Sequence, residues 1–506
     1  MSFSQIKEDL NRFIREAPSL SDARAFSPDA YNAIGALLLD HTYQALERIN
    51  AEHGIEFHSN MAVMLFCDLH AKSCGHYFAE YERIKGLQEE PLVTRRSGLF
   101  QRLRPRSRLR EWLSLFRANL KSGLGTRVQV SGTTTFRWQA LRAALQERDI
   151  ALELAPLGRP DIPLIGQQLD QLEQSALAAH ADLAKAMGVP QGMLHSFVPA
   201  LSEAANKLAA MPTLGMPGGS LMVTGTLGSL QTRLNALNAI SHGVPVLTIH
   251  HGGQFKTYDE PYYDLYEGQI PDAKVVYGDI ERQRELGTLD SERTLFGVQT
   301  LLYPRTDSAV HQLHTGESIP TIGSLRTKAV LYLPTEMESA RYGPYRDVHP
   351  TIYQAWQEKL IAWLTEQTGQ IPRVRLHPKR TTTRFDPSGG VAAPGNMQEC
   401  LAEADVIVLD YPTTTMSLAA ATSKPVMFFD IGLRRFQLAA LEAVRARCSY
   451  AEVDMFDPAA GLASMEREIG RSPTDAFTPL FSIGKEDLDE VDAVAAAIKD
   501  AVSRLT

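Results

Sequence analysis

The chain lacks several sequence features that would by themselves indicate its class of protein. Its 506 residues include only four cysteines, too few and too scattered for a disulfide framework in a chain of this length. No apolar run approaches the roughly 20 residues that span a bilayer, and the first residues contain no signal-peptide core. A formal net charge of −8 disfavours general nucleic-acid binding. We therefore expect a cytoplasmic protein of two or three domains.

Common metal and nucleotide motifs are missing as well. The segment 67–76 contains two cysteines and two histidines, but their spacing fits no standard zinc pattern, and a helix with core cysteines explains them better. Glycine- and threonine-rich turns at 132–135 and 225–229 lack the Gly-Lys-Ser/Thr of a P-loop. Thr226 and Ser229 of the second turn would either line the acceptor side of a cleft or belong to an ordinary βα turn.

Basic residues are concentrated between Arg95 and Arg127, where nine arginines and one lysine are accompanied by a single acid, Glu111. Interleaved leucine, phenylalanine and tryptophan give this segment, 95–127, an apolar side. It would contact anionic membrane or a polyanionic acceptor, or it is a solvated helix face whose arginine stems cover a neighbour. Helical spacing of apolar residues predicts an α-helical N-terminal region over 1–126.

After Arg127 the apolar pattern changes to short strands that alternate with helices. This βα alternation is typical of parallel sheets and predicts a Rossmann-like domain over 127–303. The predicted strands are 128–131, 150–154, 220–224, 244–249 and 274–278.

A polar stretch with proline, glycine and serine, 304–327, is the predicted linker. The βα alternation then restarts and predicts a second Rossmann-like domain over 328–506. A final helix at about 488–505 has one apolar face, and we expect it to pack back across the linker. The predicted strands of this domain are 329–333, 373–378, 404–409 and 425–430. The fold class is thus α/β, with two parallel sheets facing a cleft.

Polar residues stand at the carboxyl ends of these strands, where ligands of parallel sheets bind. His250 and His251 follow a strand of the first domain, and an imidazole there could take a proton from an attacking hydroxyl. Gly252 and Gly253 would let backbone amides approach the acceptor. Three carboxylates of the following segment are rival bases: Asp259, Glu260 and Asp264.

The most informative segment is an apolar strand that ends in Asp410 and Tyr411 and is followed by three consecutive hydroxyls, Thr413, Thr414 and Thr415. Because free N–H groups and the helix dipole favour anions at a helix start, this is either a phosphate site or a plain helix cap. Neighbouring strand ends carry further anion-binding or acid–base residues: Thr335, Glu336, Arg375 and His377. Pro378 fixes the turn that presents Arg375 and His377.

Five segments taken in order resemble a known superfamily: HHGGQ, VVYGDIERQRELG, VLYLPT, RVRLHP and ADVIVLDYPTTTMSLAAATSKPVMFF. They are similar to bacterial CDP-glycerol glycerophosphotransferases and to capsule-type transferases that use CMP-activated Kdo. The resemblance implies the GT-B architecture, with an acceptor domain and a nucleotide-donor domain. It further implies that His377 and Pro378 contact the donor, that Asp410 and the three threonines flank its phosphate, and that His250 or His251 lies near the reacting hydroxyl.

This chain has Asp-Tyr-Pro-Thr-Thr-Thr and His-His-Gly-Gly where the glycerophosphotransferases usually have Asp-Tyr-Ser-Ser and a Trp-His-Gly-Thr-Pro type motif. The departure favours sugar transfer. We therefore predict a metal-independent inverting glycosyltransferase, without cofactor, that moves an acidic keto-sugar of the Kdo or nonulosonate type from a CMP-linked donor to a surface glycan, glycolipid or glycoprotein. The alternatives are CDP-glycerol or CDP-ribitol phosphotransfer and a non-catalytic glycan-assembly protein.

Overall fold

The computed structural model describes two sheets and the helices that pack on them. The predicted N-terminal helical region and nearly all of the basic segment lie outside the described residues. The residues that the structure describes are 126–130, 145, 147–148, 150–154, 157–158, 181, 213–214, 221–225, 227, 232, 235–236, 239, 244–249, 257, 271–277, 301–305, 308–314, 316–335, 350–376, 390–412, 414–432, 434, 436–480 and 490–503.

Six parallel strands form the first sheet, and five of them confirm strands expected from the βα pattern. In chain order they are β1 Thr126–Val130, β2 Ile150–Leu154, β5 Met222–Thr224, β6 Val246–Ile249, β7 Ala273–Tyr277 and β8 Leu301–Arg305. Their order across the sheet is β2-β1-β5-β6-β7-β8, and every neighbouring pair is parallel. Two short strands, β3 Leu157–Gly158 and β4 Thr213–Leu214, form a separate antiparallel pair.

Two elements lie inside or across the start of the predicted linker. Strand β8 contains Pro304, which the sequence pattern assigned to the linker. Because β8 is an edge strand, a residue without an N–H is tolerated there. Helix α1, Ser308–Leu313, follows it, and its Val310 is buried in the core of the second sheet. The extended segment between the two sheets is therefore 316–329, most of which is exposed.

Six parallel strands also form the second sheet. They are β9 Val330–Leu333, β10 Arg373–Val374, β11 Val391–Ala392, β12 Val406–Leu409, β13 Val426–Asp430 and β14 Ser449–Glu452. Their order, β11-β10-β9-β12-β13-β14, is the 3-2-1-4-5-6 order of Rossmann sheets, so the chain changes direction across the sheet between β9 and β12. Both of these strands are buried along their whole length, as continuous apolar runs in parallel sheets are.

The second sheet carries helices on both faces. Its helices are α2 Pro350–Thr368, α3 Met397–Glu403, α4 Thr414–Ala421, α5 Leu438–Arg447 and α6 Ala459–Glu468, followed by a 3-10 turn at Thr478–Leu480. On one face, Trp356 and Trp363 of α2 both meet the ring of Phe429 edge-on, with centroids 5.8 Å apart. Within the described residues, no helix combines the length and apolarity needed to cross a bilayer.

The last helix, α7 Glu490–Ser503, packs against the first sheet. Val494 and Ile498 are fully buried in a core with the strand residues Val223 and Val275. At the helix start, the Arg148 guanidinium donates to the Asp492 carboxylate, with Nε to Oδ1 at 2.7 Å. The expectation that this helix packs back across the linker is confirmed. The predicted two Rossmann-like parallel sheets are confirmed as well.

Replacing Ile498 by Ala should destabilise the first sheet. The side chain is fully buried against the strands, and removing buried methyl and methylene groups of this size costs about 2–5 kcal/mol in the free energy of unfolding. The measurement is chemical denaturation followed by circular dichroism. Lys499→Ala is the matched control, because Lys499 is the next residue and is exposed; equal stability of the two variants would contradict the packing of α7.

Candidate functional site

The ends of β9 and β12 meet at the point where the strand order reverses. Leu333 is the register partner of Leu409, so the residues that follow the two strands are brought side by side. Thr335 follows β9, and Asp410 and Tyr411 follow β12. In a doubly wound sheet, ligands bind in the crevice outside this switch point. The structure therefore brings predicted donor-binding residues from two distant segments together.

The Asp410 carboxylate is fully buried beneath this edge and accepts hydrogen bonds from three side chains. Its Oδ1 accepts from the Tyr353 hydroxyl at 2.9 Å, and its Oδ2 accepts from Trp356 Nε1 at 3.0 Å and from the Tyr332 hydroxyl. These four residues are called the Asp410 network below. Because a buried carboxylate is stable only when its oxygens are hydrogen-bonded, the network explains an acid at the end of an apolar strand.

The Asp410 network also holds the end of β9. The backbone N–H of Thr335 donates to the Tyr353 hydroxyl oxygen at 3.1 Å, so one tyrosine links both strand ends. The carboxylate therefore faces protein donors and holds the strand end in place. The prediction that Asp410 flanks a donor phosphate stays a prediction.

Burial raises the pKa of Asp410 to about 6, although its three side-chain donors each favour the charged form. The pKa values of Tyr332 and Tyr353 lie well above their usual range, first because both phenols are fully buried and then because of the Asp410 charge. At neutral pH the network therefore contains an ionised carboxylate and neutral phenols, the protonation pattern in which all three donors point at Asp410.

Helix α4 begins beside this network. Thr414 and Thr415, in its first turn, are half-buried. The fully buried Arg447 guanidinium holds its far end, where Nε donates to Ala420 O at 2.9 Å and Nη2 donates to the carbonyls of Thr422 and Lys424 at 2.7 and 2.8 Å. A cation is favourable at the negative end of a helix. The positive end of α4 is thus left at the switch point, although burial lowers the pKa of Arg447.

Arg375 lies on the other side of β9. Its backbone N–H donates to Tyr332 O at 2.9 Å, which continues the sheet, and its Nη1 donates to Ala393 O at 3.1 Å beyond β11. The side chain is half-buried. The structure thus places the predicted anion-binding arginine at the carboxyl ends of β10 and β11, in the same edge as Thr335.

One backbone contact joins this edge to the segment that follows β6 of the first sheet. The N–H of Gln437, at the start of α5, donates to the carbonyl of Thr257 at 2.9 Å. Thr257 is buried and lies in the segment that contains the predicted base residues. The chain after β6 and the chain after β13 therefore meet, as the predicted cleft between two domains requires.

The remaining predicted site residues lie outside the described residues, and their roles stay predictions. They are Thr226, Ser229, His250, His251, Gly252, Gly253, Asp259, Glu260, Asp264, Glu336, His377, Pro378 and Thr413. Across the described ranges, no group of three or more histidine, cysteine, aspartate or glutamate side chains is placed to hold a metal ion.

Sequence reasoning missed the residues that support the site. Tyr353 and Trp356 are three positions apart on α2 and so share one face of that helix, but aromatic residues at this spacing look like ordinary core. Tyr332 sits in the apolar run of β9, and Arg447 ends a helix that the sequence pattern did not predict. A tyrosine in an otherwise aliphatic strand was the one local signal, because a buried hydroxyl needs a partner.

No protein-family model matches the chain, and no curated protein matches it either. Solved structures with a similar course include a UDP-N-acetylglucosamine 2-epimerase from Rickettsia bellii, with 10% identity, 75% of this chain and 96% of that chain covered and a TM-score of 0.39. The glycosyltransferase SnogD from Streptomyces nogalater has 9% identity, coverage of 75% and 100% and a TM-score of 0.34. A UDP-GlcNAc 2-epimerase from Neisseria meningitidis has 11% identity, coverage of 75% and 98% and a TM-score of 0.34. Likeness at this level assigns neither an activity nor a substrate to this chain.

Replacing Tyr353 by Phe should destabilise the second sheet. The change leaves Asp410 Oδ1 without its donor and the Thr335 N–H without its acceptor, and each buried group left unsatisfied costs about 1–3 kcal/mol. The measurement is the free energy of unfolding in urea. Tyr450→Phe is the control, because it also removes a tyrosine-to-aspartate bond, to Asp430 at 2.6 Å, but at a part-buried position. A larger loss in the control would contradict the central role of the Asp410 network.

The Asp410 carboxylate should make stability depend on pH in a defined window. Its folded-state pKa of about 6 exceeds the ordinary value of 3.8, so the folded state binds the proton more tightly than the unfolded chain. Its contribution is present below about pH 4 and is lost as pH rises to about 6, by about 3 kcal/mol. Urea titrations from pH 4 to 7 should show a steeper decrease for the wild type than for Asp410→Asn; parallel curves would contradict the raised pKa.

Proposed function

We propose that the protein is an inverting glycosyltransferase of the GT-B type, which transfers an acidic keto-sugar from a CMP-linked donor to a hydroxyl of a surface glycan, glycolipid or glycoprotein. The observation that supports this most is the position of α4, whose positive end lies at the switch point of a sheet with Rossmann strand order. Nucleotide phosphates bind at such helix starts. The contact between Gln437 and Thr257 brings a segment of the other sheet to the same region.

In this proposal the donor lies along the carboxyl edge of the second sheet. Its phosphate accepts hydrogen bonds from the first N–H groups of α4 and from Thr414 and Thr415, and Arg375 adds charge from the neighbouring strand ends. Four predicted donor-binding residues that lie outside the described residues would contact the donor as well: Glu336, His377, Pro378 and Thr413. The resemblance to capsule-type transferases favours acidic keto-sugars of the Kdo and nonulosonate type as the transferred group.

The transfer needs one proton acceptor and one stabilised leaving group. His250 or His251 takes the proton of the acceptor hydroxyl, and the oxygen forms a bond to the anomeric carbon. The bond from that carbon to the phosphate oxygen breaks, and its electron pair leaves with CMP. Donors aimed at the departing phosphate lower the barrier only if they are held in place beforehand. The Asp410 network and Arg447 supply this rigidity by holding both ends of the segment from β12 through α4.

The proposal is tested by nucleotide binding and by product analysis. CMP, CDP, UDP and GDP compounds are screened for a rise in melting temperature, since a ligand that binds only the native state stabilises it. We expect the largest rise with CMP-linked compounds. Incubation of the protein with CMP-Kdo and a glycan acceptor should then release CMP and lengthen the acceptor. Release of CMP from CDP-glycerol would instead indicate polyol phosphotransfer, and the absence of any shift would contradict an enzymatic role.

His377→Ala should abolish CMP release, because it removes a hydrogen-bond donor from the leaving phosphate. His314→Ala is the control, since His314 lies in the linker region 3.6 Å from Asp475 and away from the switch point. Nucleotide release is measured by a coupled assay, with circular dichroism to verify that both variants are folded. Full activity of the His377 variant would overturn its assignment.

A further inference from the structure

The loop that follows β13 and leads to α5 contacts β13 through two of its described residues, Gly432 and Phe436. Asp430 Oδ1 accepts a hydrogen bond from the N–H of Gly432 at 3.0 Å. Gly432 has a φ of +73°, a backbone conformation that residues with a side chain rarely adopt. At the other end the Phe436 ring meets the ring of Phe428 edge-on, with centroids 5.8 Å apart. Both ends of the loop are therefore fixed by contacts with β13.

A residue of this loop, Arg434, contacts the segment that follows β12. The Arg434 guanidinium carbon lies 5.3 Å from the centroid of the Tyr411 ring. Tyr411 is buried and comes directly after Asp410, a short distance in the chain before α4 begins. A cation stacked on an aromatic ring is attracted to its face. Arg434, which follows β13 in the chain, thus contacts the segment between β12 and α4.

The same loop reaches the other sheet. Three residues after Arg434, the N–H of Gln437 donates to Thr257 O at 2.9 Å. Arg434 therefore lies near the meeting point of the chain after β6 and the chain after β13. A positive side chain at this point adds to the positive end of α4, whose opposite end is compensated by Arg447.

We propose that Arg434 binds the phosphate of the nucleotide donor. This inference rests on the proposed function and adds to it a residue that the sequence pattern did not single out. The Arg434 guanidinium carbon lies over the face of the Tyr411 ring, and a guanidinium carries its five N–H donors in one plane, a geometry that suits the oxygens of a phosphate. In the reaction Arg434 would hold the phosphate before transfer and stabilise its charge as the bond to the sugar breaks.

The fold offers a matched control for this contact. Arg445 also stacks on a tyrosine, with its guanidinium carbon 4.9 Å from the Tyr450 ring centroid. It lies by the outer strand β14, and its charge is paired with Glu452 at 2.9 Å. Removing Arg445 therefore removes the same kind of stacked cation without touching the segment between β12 and α4.

The test is isothermal titration of the wild type, Arg434→Gln, Arg434→Lys and Arg445→Gln with cytidine, CMP and CDP. Arg434→Gln should weaken CMP and CDP binding by about ten- to a hundredfold, the range of a lost charge-assisted hydrogen bond, and leave cytidine binding unchanged. Arg434→Lys, which keeps the charge but loses the planar fork, should fall between. Arg445→Gln should bind like the wild type, and Tyr411→Leu should weaken CMP binding while Tyr411→Phe keeps it.

Four results would overturn the inference. If Arg434→Gln binds CMP as the wild type does, the inference fails and the proposed function stands. If Arg434→Gln loses affinity for cytidine as much as for CMP, or if Arg445→Gln loses as much as Arg434→Gln, the effect is not on the phosphate. If the wild type binds none of the three probes, CMP-dependent transfer itself fails before any variant is compared. Circular dichroism of each variant verifies that it is folded.

Discussion

The second half of this protein depends on one buried carboxylate. Asp410 accepts hydrogen bonds from Tyr332, Tyr353 and Trp356, which belong to the neighbouring strand and to the helix above it. Leaving any of these donors or oxygens unpaired in the interior would cost more than the bond gains. The network therefore permits essentially one arrangement of the ends of β9 and β12, and these ends border the crevice in which Rossmann sheets bind ligands.

Helix α4 continues this arrangement from the network into the candidate site. It begins at Thr414, three residues after Tyr411, and its end is held by the buried Arg447. Buried charges of opposite sign thus lie at the two ends of one short segment. Asp410 accepts three side-chain hydrogen bonds, and Arg447 donates three through Nε and Nη2. The positive end of the helix is oriented toward the crevice, where an anionic ligand would meet it.

Two of the contacts that join the two sheets differ in character. Helix α7 crosses from the end of the chain to the first sheet and buries an apolar face there, which is a large hydrophobic contact. The bond from Gln437 to Thr257 is a hydrogen bond between backbone groups of the segments that follow β6 and β13. An extensive apolar packing and a small polar contact beside the crevice are compatible with a site whose two sides adjust to a ligand.

Local patterns in the sequence determined the kinds of element and much of their order. Continuous apolar runs predicted β9, β12 and β13, and an apolar stripe predicted α7. The capping box of Asn396 and Glu399, with both reciprocal bonds formed, was a readable signal for α3 that the βα pattern alone did not use. Pro304 was wrongly predicted to lie in the linker, because only the tertiary structure shows that its strand, β8, lies at a sheet edge. The partners of Asp410, which lie 54, 57 and 78 positions away in the chain, were likewise decided by the fold. No local pattern can pair groups at such separations, since they meet only when strands order themselves and a helix packs across them.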